Sequence, residues 1–161
     1  MTTLLGTVDR ATGSVHLERV LPASPERVWA ALTEPDRMAG WLGPVESGTA
    51  GPGRTFVLRM EPEATATCTV TAWDPPARLK LIWDYTGEAR SEVSFALSDE
   101  DGKTRLVIDH VKVGVDPVEY AAGWHAYLDS LVQYVEGRPV TGFTATFEAM
   151  RTRYAAAAPT D

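Results

Sequence analysis

Histidine is the side chain best suited to proton transfer near neutral pH, and this chain has three: His16, His110 and His125. His110 ends an alternating apolar stretch, so its ring is expected to face inward, where it can donate to a ligand or act as a general base. The more ordinary interpretation is a buried histidine that bonds to the backbone or to the long helix. His125 follows Trp124 directly and is expected at the surface.

Aromatic side chains are the second group that could take part in binding or catalysis. Tyr120 and Tyr127 carry hydroxyls that can hydrogen-bond a carbonyl or enol while their rings pack on an apolar substrate. Four tryptophans are candidate walls for an aromatic ligand: Trp41, Trp73, Trp83 and Trp124. The same residues can equally fill one core, so the sequence leaves a packed interior and a lined pocket both open.

Other familiar chemistries have no support in the sequence. It contains no nucleophile motif, no phosphate-binding glycine loop before a helix and no nucleotide fingerprint. No two histidines have metal-ligand spacing, so we expect no bound metal and no cofactor. Cys68 is the single cysteine, which excludes an intrachain disulfide, and its alternating setting predicts a small buried hydrophobe.

A long helix over residues 116–136 is the element expected to position these side chains. Asp116 is suited to the N-cap, Pro117 to the first helical position and Glu119 to a capping box, while Gly137 is suited to a left-handed C-cap. Gly123 lies inside the helix, where close approach of another backbone is a common reason for glycine. One face is apolar and aromatic: Tyr120, Trp124, Tyr127, Leu128, Leu131, Tyr134 and Val135.

The rest of the chain contains two short helices and several segments that alternate with the two-residue period of strands. Residues 1–13 are interpreted as an irregular lead-in, residues 15–21 as the first strand, and residues 24–33 and 35–40 as two short helices. Strands are then predicted over residues 55–61, 65–73, 78–84, 91–97 and 104–112, with a polar turn at 98–102. Strands grouped apart from helices indicate an α+β fold with an antiparallel sheet.

The end of the chain follows the long helix as an extension. We expect one domain over residues 1–137 and an extension over 138–161. Phe143, Phe147, Met150 and Tyr154 are spaced for an amphipathic helix that can pack on the sheet, close a pocket or form a homodimer contact. Residues 155–161 are expected to be disordered.

Bulk composition narrows the class of partner. The chain has 161 residues, 44% of them hydrophobic, and fits one domain of ordinary globular composition. Its formal net charge of −7 argues against nucleic acid and anionic membrane surfaces as partners. The N-terminus lacks the basic region and apolar run of a signal peptide, so a cytoplasmic location is expected.

Four segments resemble a known family. Residues 23–41 resemble its first-helix signature, residues 70–83 its strand–turn–strand around a double proline, residues 102–110 its strand ending in histidine, and residues 122–131 the Gly-Trp motif of its long helix. In this order and spacing they are similar to the START-like, or SRPBCC, helix-grip superfamily. Within it, the chain resembles the branch of the heat-shock chaperone ATPase activator C-terminal domain.

The resemblance implies a fold more than a function. That fold is a curved antiparallel sheet of about six or seven strands that grips the long C-terminal helix, with two short helices after the first strand. A cavity between sheet and helix implies binding of a small apolar or aromatic metabolite. Candidate lining residues are Trp41, Phe56, Met60, Trp73, Trp83, Phe95, His110, Tyr120, Trp124, Tyr127 and Leu128.

Two alternatives stay open at this stage. One is an enzyme of the polyketide cyclase or dehydratase type, in which His110 and either Tyr120 or Tyr127 face one cavity and transfer protons. The other is a chaperone-binding module, which requires an exposed apolar or charged patch and no cavity. The family's fold does not decide between binding and catalysis.

Overall fold

One antiparallel sheet organises the computed structural model, which describes residues 4–158. Its eight strands run in the order β1-β2-β8-β7-β6-β5-β4-β3, so β1 and β3 form the two edges. The strands are β1 (Gly6–Asp9), β2 (Ser14–Leu21), β3 (Val45–Gly48), β4 (Thr55–Glu61), β5 (Ala64–Asp74), β6 (Arg78–Tyr85), β7 (Ser91–Glu100) and β8 (Lys103–Val111). The helices are α1 (Pro25–Thr33), α2 (Pro35–Met38), α3 (Pro117–Val135) and α4 (Phe143–Ala157).

The predicted α+β architecture is confirmed, because the curved sheet packs one face against α3. Alternation along β6 buries Leu79, Leu81 and Trp83, as the period-two pattern requires. Trp124 of α3 meets this face edge-on, with its ring centroid 5.6 Å from Trp83 and 5.7 Å from Phe95. The core therefore lies between the sheet and the long helix.

The strand count is higher than predicted because two edge strands were not assigned: residues 45–48 form β3, and residues 6–9 form a strand rather than an irregular lead-in. This strand, β1, pairs with residues 14–17 of β2. Asp9 Oδ1 closes the connecting turn by accepting from the backbone N–H groups of Ala11 and Thr12, at 2.9 and 3.3 Å. Only Val8 of β1 is buried, so the segment carries no apolar alternation that sequence reasoning could detect.

The hairpin between β7 and β8 is tighter than predicted. The strands continue to Glu100 and resume at Lys103, which pair with each other, so the turn comprises two residues rather than the expected 98–102. Asp101 and Gly102 both have positive φ angles, 56° and 85°, as a two-residue turn that matches the twist of the strands requires.

The ends of α3 follow the local signals. Asp116 Oδ1 accepts from the Val118 N–H at 3.1 Å, and Gly137 adopts φ +73°, as the predicted N-cap and C-cap require. The predicted capping-box bond of Glu119 is replaced by another contact. Its carboxylate pairs with Arg151 of α4 at 3.6 Å.

The predicted amphipathic helix at the C-terminus is present as α4, which packs against α3 and buries Met150 and Tyr154. The expectation of disorder from residue 155 is wrong for the first four residues, since α4 runs to Ala157 and Ala158 is buried. Residues 159–161 lie outside the described residues. The division at residue 137 stays a prediction. Within the described residues, none of the helices is long and apolar enough to cross a membrane.

Candidate ligand-binding cavity

A cavity of about 670 Å³ lies where α3 and α4 meet the ends of β4 and β6. Alternate strands of an antiparallel meander run in the same direction, so the C-terminal ends of β4 and β6 meet at one end of the sheet. Seven aromatic residues line the cavity: Trp83, Tyr85, Tyr120, Trp124, Tyr127, Phe143 and Phe147. A mostly apolar cavity of this volume suits a small organic ligand.

The aromatic lining forms a continuous row from α3 to α4. Tyr127 packs against Trp124 with ring centroids 5.9 Å apart and against Phe143 at 4.5 Å. Phe143 and Phe147 lie one helical turn apart and stack nearly parallel, at 6.1 Å and 8°. Each ring of the row packs against another ring, and these contacts hold the rings in position beside the cavity.

Five of the eleven predicted lining residues border this cavity: Met60, Trp83, Tyr120, Trp124 and Tyr127. The other six lie elsewhere: Trp41, Phe56, Trp73, Phe95, His110 and Leu128. All but Trp73 are buried in the core.

The two tryptophans away from the cavity have structural partners. Trp41 donates its indole N–H to the Ala31 carbonyl at 2.8 Å, which satisfies its one polar group. Trp73 is half-buried and meets Trp29 edge-on, with centroids 5.1 Å apart. Trp83 and Trp124 border the cavity, but each is 3% exposed and belongs to the core, so most of the surface of the four tryptophans fills the interior.

His110 is fully buried, and both of its ring nitrogens are engaged. Nδ1 accepts from Trp124 Nε1–H at 3.0 Å, so the proton resides on Nε2, which donates to Ser91 Oγ at 2.7 Å. Burial lowers the pKa of this imidazole to about 3. The ring is therefore neutral and satisfied, with no nitrogen left for proton transfer to a molecule in the cavity.

The prediction of a surface position for His125 is wrong. His125 is 1% exposed, because α4 covers this side of α3. Tyr154 of α4 accepts from the Leu5 backbone N–H at 3.2 Å, and the same hydroxyl is hydrogen-bonded to His125 Nδ1 at 2.9 Å. Burial lowers the pKa of His125, so this histidine is also a neutral structural group.

Tyr120 has its hydroxyl held in a chain of hydrogen bonds on the cavity wall. The hydroxyl accepts from Trp83 Nε1–H at 3.1 Å and donates to Glu88 Oε1 at 2.6 Å. Burial is the main cause of a raised Tyr120 pKa, and the Glu88 carboxylate adds to it. Tyr120 therefore offers the ligand its ring, but the only hydrogen of its hydroxyl is already donated to Glu88.

Tyr85 and Glu61 form a second tyrosine–glutamate pair, which sequence reasoning missed. The Tyr85 hydroxyl donates to Glu61 Oε2 at 2.8 Å, and burial raises the Tyr85 pKa. Tyr85 stands two residues after Trp83 and so shares its face of the strand, a signal that could have been used. Glu88 lies in the loop after β6 and has no comparable signal.

Tyr127 differs from both because its hydroxyl has no hydrogen-bond partner within residues 4–158. Burial raises the pKa of this phenol to about 12, so it is neutral at physiological pH. A neutral phenol on a cavity wall can donate one hydrogen bond and accept another. Tyr127 is therefore the free polar group among the aromatic residues predicted from the sequence.

Gly123 has a different role from the one expected. A Cβ added there would meet nothing within 4 Å, so no other backbone approaches this glycine. The residue instead borders the cavity. The missing side chain leaves space between Tyr120 and Tyr127 on the same helix.

Carboxylates are the charged groups of the lining. Glu61, Glu88, Glu119 and Glu148 border the cavity, and no lysine or arginine does so within the described part of the chain. Within residues 4–158 no group of three or more potential ligands is arranged to hold a metal ion. A second cavity of about 390 Å³, between the β1–β2 turn and the β8–α3 loop, has no aromatic lining.

A sheet that grips a long helix and leaves an aromatic cavity beside it defines a START-like helix-grip protein. The chain belongs to the family described as activator of Hsp90 ATPase homolog 1-like protein, whose profile matches residues 22–136. The matched segment ends with α3, so α4 lies outside it. None of the curated proteins matches the chain.

Solved structures share the fold over most of the chain. CalU16 from Micromonospora echinospora is 28% identical, with a TM-score of 0.76 over 89% of this chain and 86% of its own. The protein encoded by BPP1335 of Bordetella parapertussis is 31% identical, with a TM-score of 0.71 over 96% and 94% of the two chains. DynU16, from the dynemicin biosynthetic locus, is 24% identical and shares the fold, with a TM-score of 0.73 over 81% of this chain and 50% of its own.

Proposed function

We propose that this protein binds a small apolar or aromatic molecule in the cavity between the sheet, α3 and α4. The observation that carries the proposal is the open volume of about 670 Å³ bordered by seven aromatic rings. Five of these rings are only partly buried and so lack contacts that a filled core would make, and a bound ligand would supply them: Tyr85, Tyr120, Tyr127, Phe143 and Phe147. The unpartnered Tyr127 hydroxyl adds a polar group that can orient the ligand.

Gly123 provides a direct test, because the residue borders the cavity and a Cβ added there meets nothing within 4 Å. Gly123→Leu should place about four carbons in the ligand volume, whereas Gly123→Ala adds one. Both changes should favour the helix by about 1 kcal/mol, since glycine is a poor helix former. A loss of binding in Gly123→Leu therefore cannot be attributed to a destabilised fold.

The experiment is native mass spectrometry of freshly purified protein, followed by a thermal-shift screen of aromatic and apolar metabolites on the wild type and both variants. A ligand at 100 times its dissociation constant should stabilise the wild type by about 2.7 kcal/mol. Gly123→Ala should retain most of this response and Gly123→Leu should lose it. Equal responses in all three proteins would place binding elsewhere, and an empty, unresponsive wild type would overturn the proposal.

Tyr127→Phe is the second variant of this test. Because the hydroxyl has no partner in residues 4–158, its removal should change the free energy of unfolding by less than about 0.5 kcal/mol. For a ligand that bonds to this hydroxyl, affinity should fall about fivefold to tenfold, the loss of one neutral hydrogen bond. Unchanged affinity across every ligand found would remove Tyr127 from the site.

The catalytic alternative loses its main support. It required His110 and a tyrosine hydroxyl to face one cavity, but His110 does not border the cavity, and both of its ring nitrogens are bonded within the core. The chaperone-binding alternative required the absence of a cavity. Binding of a small molecule is therefore the function that the geometry supports best.

A further inference from the structure

We infer that the cavity selects positively charged ligands, namely aromatic or apolar molecules that carry an amine or another organic cation. This inference rests on the proposed binding function and adds the charge class of the ligand. It comes from three features of the described residues: the carboxylates of the lining, the faces of the aromatic rings, and one arginine beside them.

The first feature is uncompensated negative charge. Glu61 and Glu88 are bonded to tyrosine hydroxyls, which are neutral donors and leave the carboxylate charge in place. Glu148 forms no ion pair within residues 4–158, and only Glu119 has a cationic partner, Arg151 at 3.6 Å. Among the described residues, three of the four carboxylates therefore have no cation to offset their charge, and the lining contributes none of its own.

The second feature is the electrostatics of the rings. The faces of tryptophan and tyrosine carry partial negative charge and attract ammonium and guanidinium groups, particularly where water is displaced. Tyr85, Tyr120 and Tyr127, which border the cavity and are only partly buried, thus favour the same sign of ligand as the glutamates do. An anionic ligand would be disfavoured by both, while a neutral one would gain apolar contacts and hydrogen bonds but no attraction between charges.

The third feature is a cation that the chain itself places at this wall. The Arg151 guanidinium lies 5.7 Å from the centre of the Phe147 ring while it pairs with Glu119. Phe147 and Glu119 both border the cavity. The arginine therefore shows how one ring and one carboxylate of this wall hold an organic cation together. The remaining rings and carboxylates offer the same combination to a ligand.

The test uses ligands that share an aromatic ring system and carry groups of different charge. One set is tryptamine, tryptophol and indole-3-acetate, which share an indole and are cationic, neutral and anionic at neutral pH. A larger set is 9-aminomethylanthracene, 9-anthracenemethanol and 9-anthracenecarboxylate. Dissociation constants are measured by calorimetry and by ligand-observed NMR at low and high salt. We expect the amine of a set to bind about tenfold tighter than the alcohol, with the carboxylate weakest.

Matched variants assign the preference to the cavity. Glu88→Gln with Glu148→Gln removes two charges, while the amide oxygen introduced at position 88 can still accept from Tyr120. The control, Glu26→Gln, removes one charge from an exposed position on α1 that does not border the cavity. The double variant should bring the amine to within about threefold of the alcohol, and the control should keep the preference.

The outcomes separate the two proposals. Equal binding of all three members of a set, blocked by Gly123→Leu, overturns the charge inference and leaves the binding function standing. A preference for the amine that persists undiminished in the double variant also overturns it, because two of the three carboxylates named as its source would then contribute nothing. Failure of every probe in both sets to bind overturns the inference together with the proposed function.

Discussion

At the scale of single residues, hydrogen-bond partners decide which side chains are available for chemistry. His110 and Tyr127 both lie near the aromatic face of α3, and both are candidates by type. His110 uses its two nitrogens on Trp124 and Ser91, whereas the Tyr127 hydroxyl has no partner within residues 4–158. The histidine is therefore part of the core, and the tyrosine is the group left to meet a ligand.

The protonation of the histidines gives a residue-scale prediction. On lowering the pH from about 8 to about 5, His110 should remain neutral with its proton on Nε2, because burial lowers its pKa to about 3. His16 should titrate first, since hydrogen bonds from its ring to Glu18 and Asp109 raise its pKa. Long-range proton–nitrogen NMR of the imidazole rings measures both. A proton on His110 Nδ1 would contradict the hydrogen bond from Trp124.

At the scale of elements, α4 packs on α3 and has two effects: the start of α4 adds to the cavity wall, and its end buries part of α3. Phe143 and Phe147 near its start extend the aromatic row, while Tyr154 near its end ties α3 to β1 through His125 and the segment at Leu5. The family profile ends at residue 136, so this contribution comes from outside the matched segment.

Tyr154→Phe tests the contact between α4 and the body of the protein. Removing the hydroxyl leaves the buried His125 Nδ1 and the Leu5 N–H without their partner, which should cost about 1–3 kcal/mol of unfolding free energy. Urea denaturation measures the change. Tyr127→Phe is the matched control, because it removes a hydroxyl that has no partner within residues 4–158 and should leave stability nearly unchanged. Equal effects of the two substitutions would contradict this network.

Across the whole molecule, stability should depend on pH mainly through its buried histidines. Burial lowers the pKa of His110 and His125, so below about pH 6.5 the unfolded chain binds protons that the native chain does not. Unfolding free energy should therefore fall with decreasing pH, by up to about 1.4 kcal/mol per pH unit for each histidine. His16, with a raised pKa, acts in the opposite direction, but its half-exposed ring contributes less.

Urea unfolding at about pH 7.5, 6.5 and 5.5 measures this dependence. A constant m-value would show that the same native state is being compared at each pH. Stability that stays flat or rises toward the isoelectric point near 5.0 would mean that relief of the net charge of −7 outweighs the buried histidines.

The sequence by itself determined the elements whose signals are local. Asp116, Pro117 and Gly137 mark the ends of α3, and two-residue alternation marks the central strands, because capping and burial act over a few residues. Motif order then indicated the helix-grip fold, and five cavity residues followed from the aromatic stripe and strand alternation. Strand β1 was not predicted, because only Val8 of its four residues is buried and the segment therefore lacks an alternating pattern.

Only the tertiary structure decided which aromatic residues face open space. The position of α4 buries His125 and extends the cavity wall, and neither result can be obtained from the periodicity of α3. Glu61 and Glu88 belong to different segments, and only the sheet brings them to one cavity with their tyrosine partners. Gly123 borders open volume rather than another backbone because distant elements leave that space unfilled. Local energetics shape helices and strands, whereas a cavity is what the packing of non-neighbouring segments leaves between them.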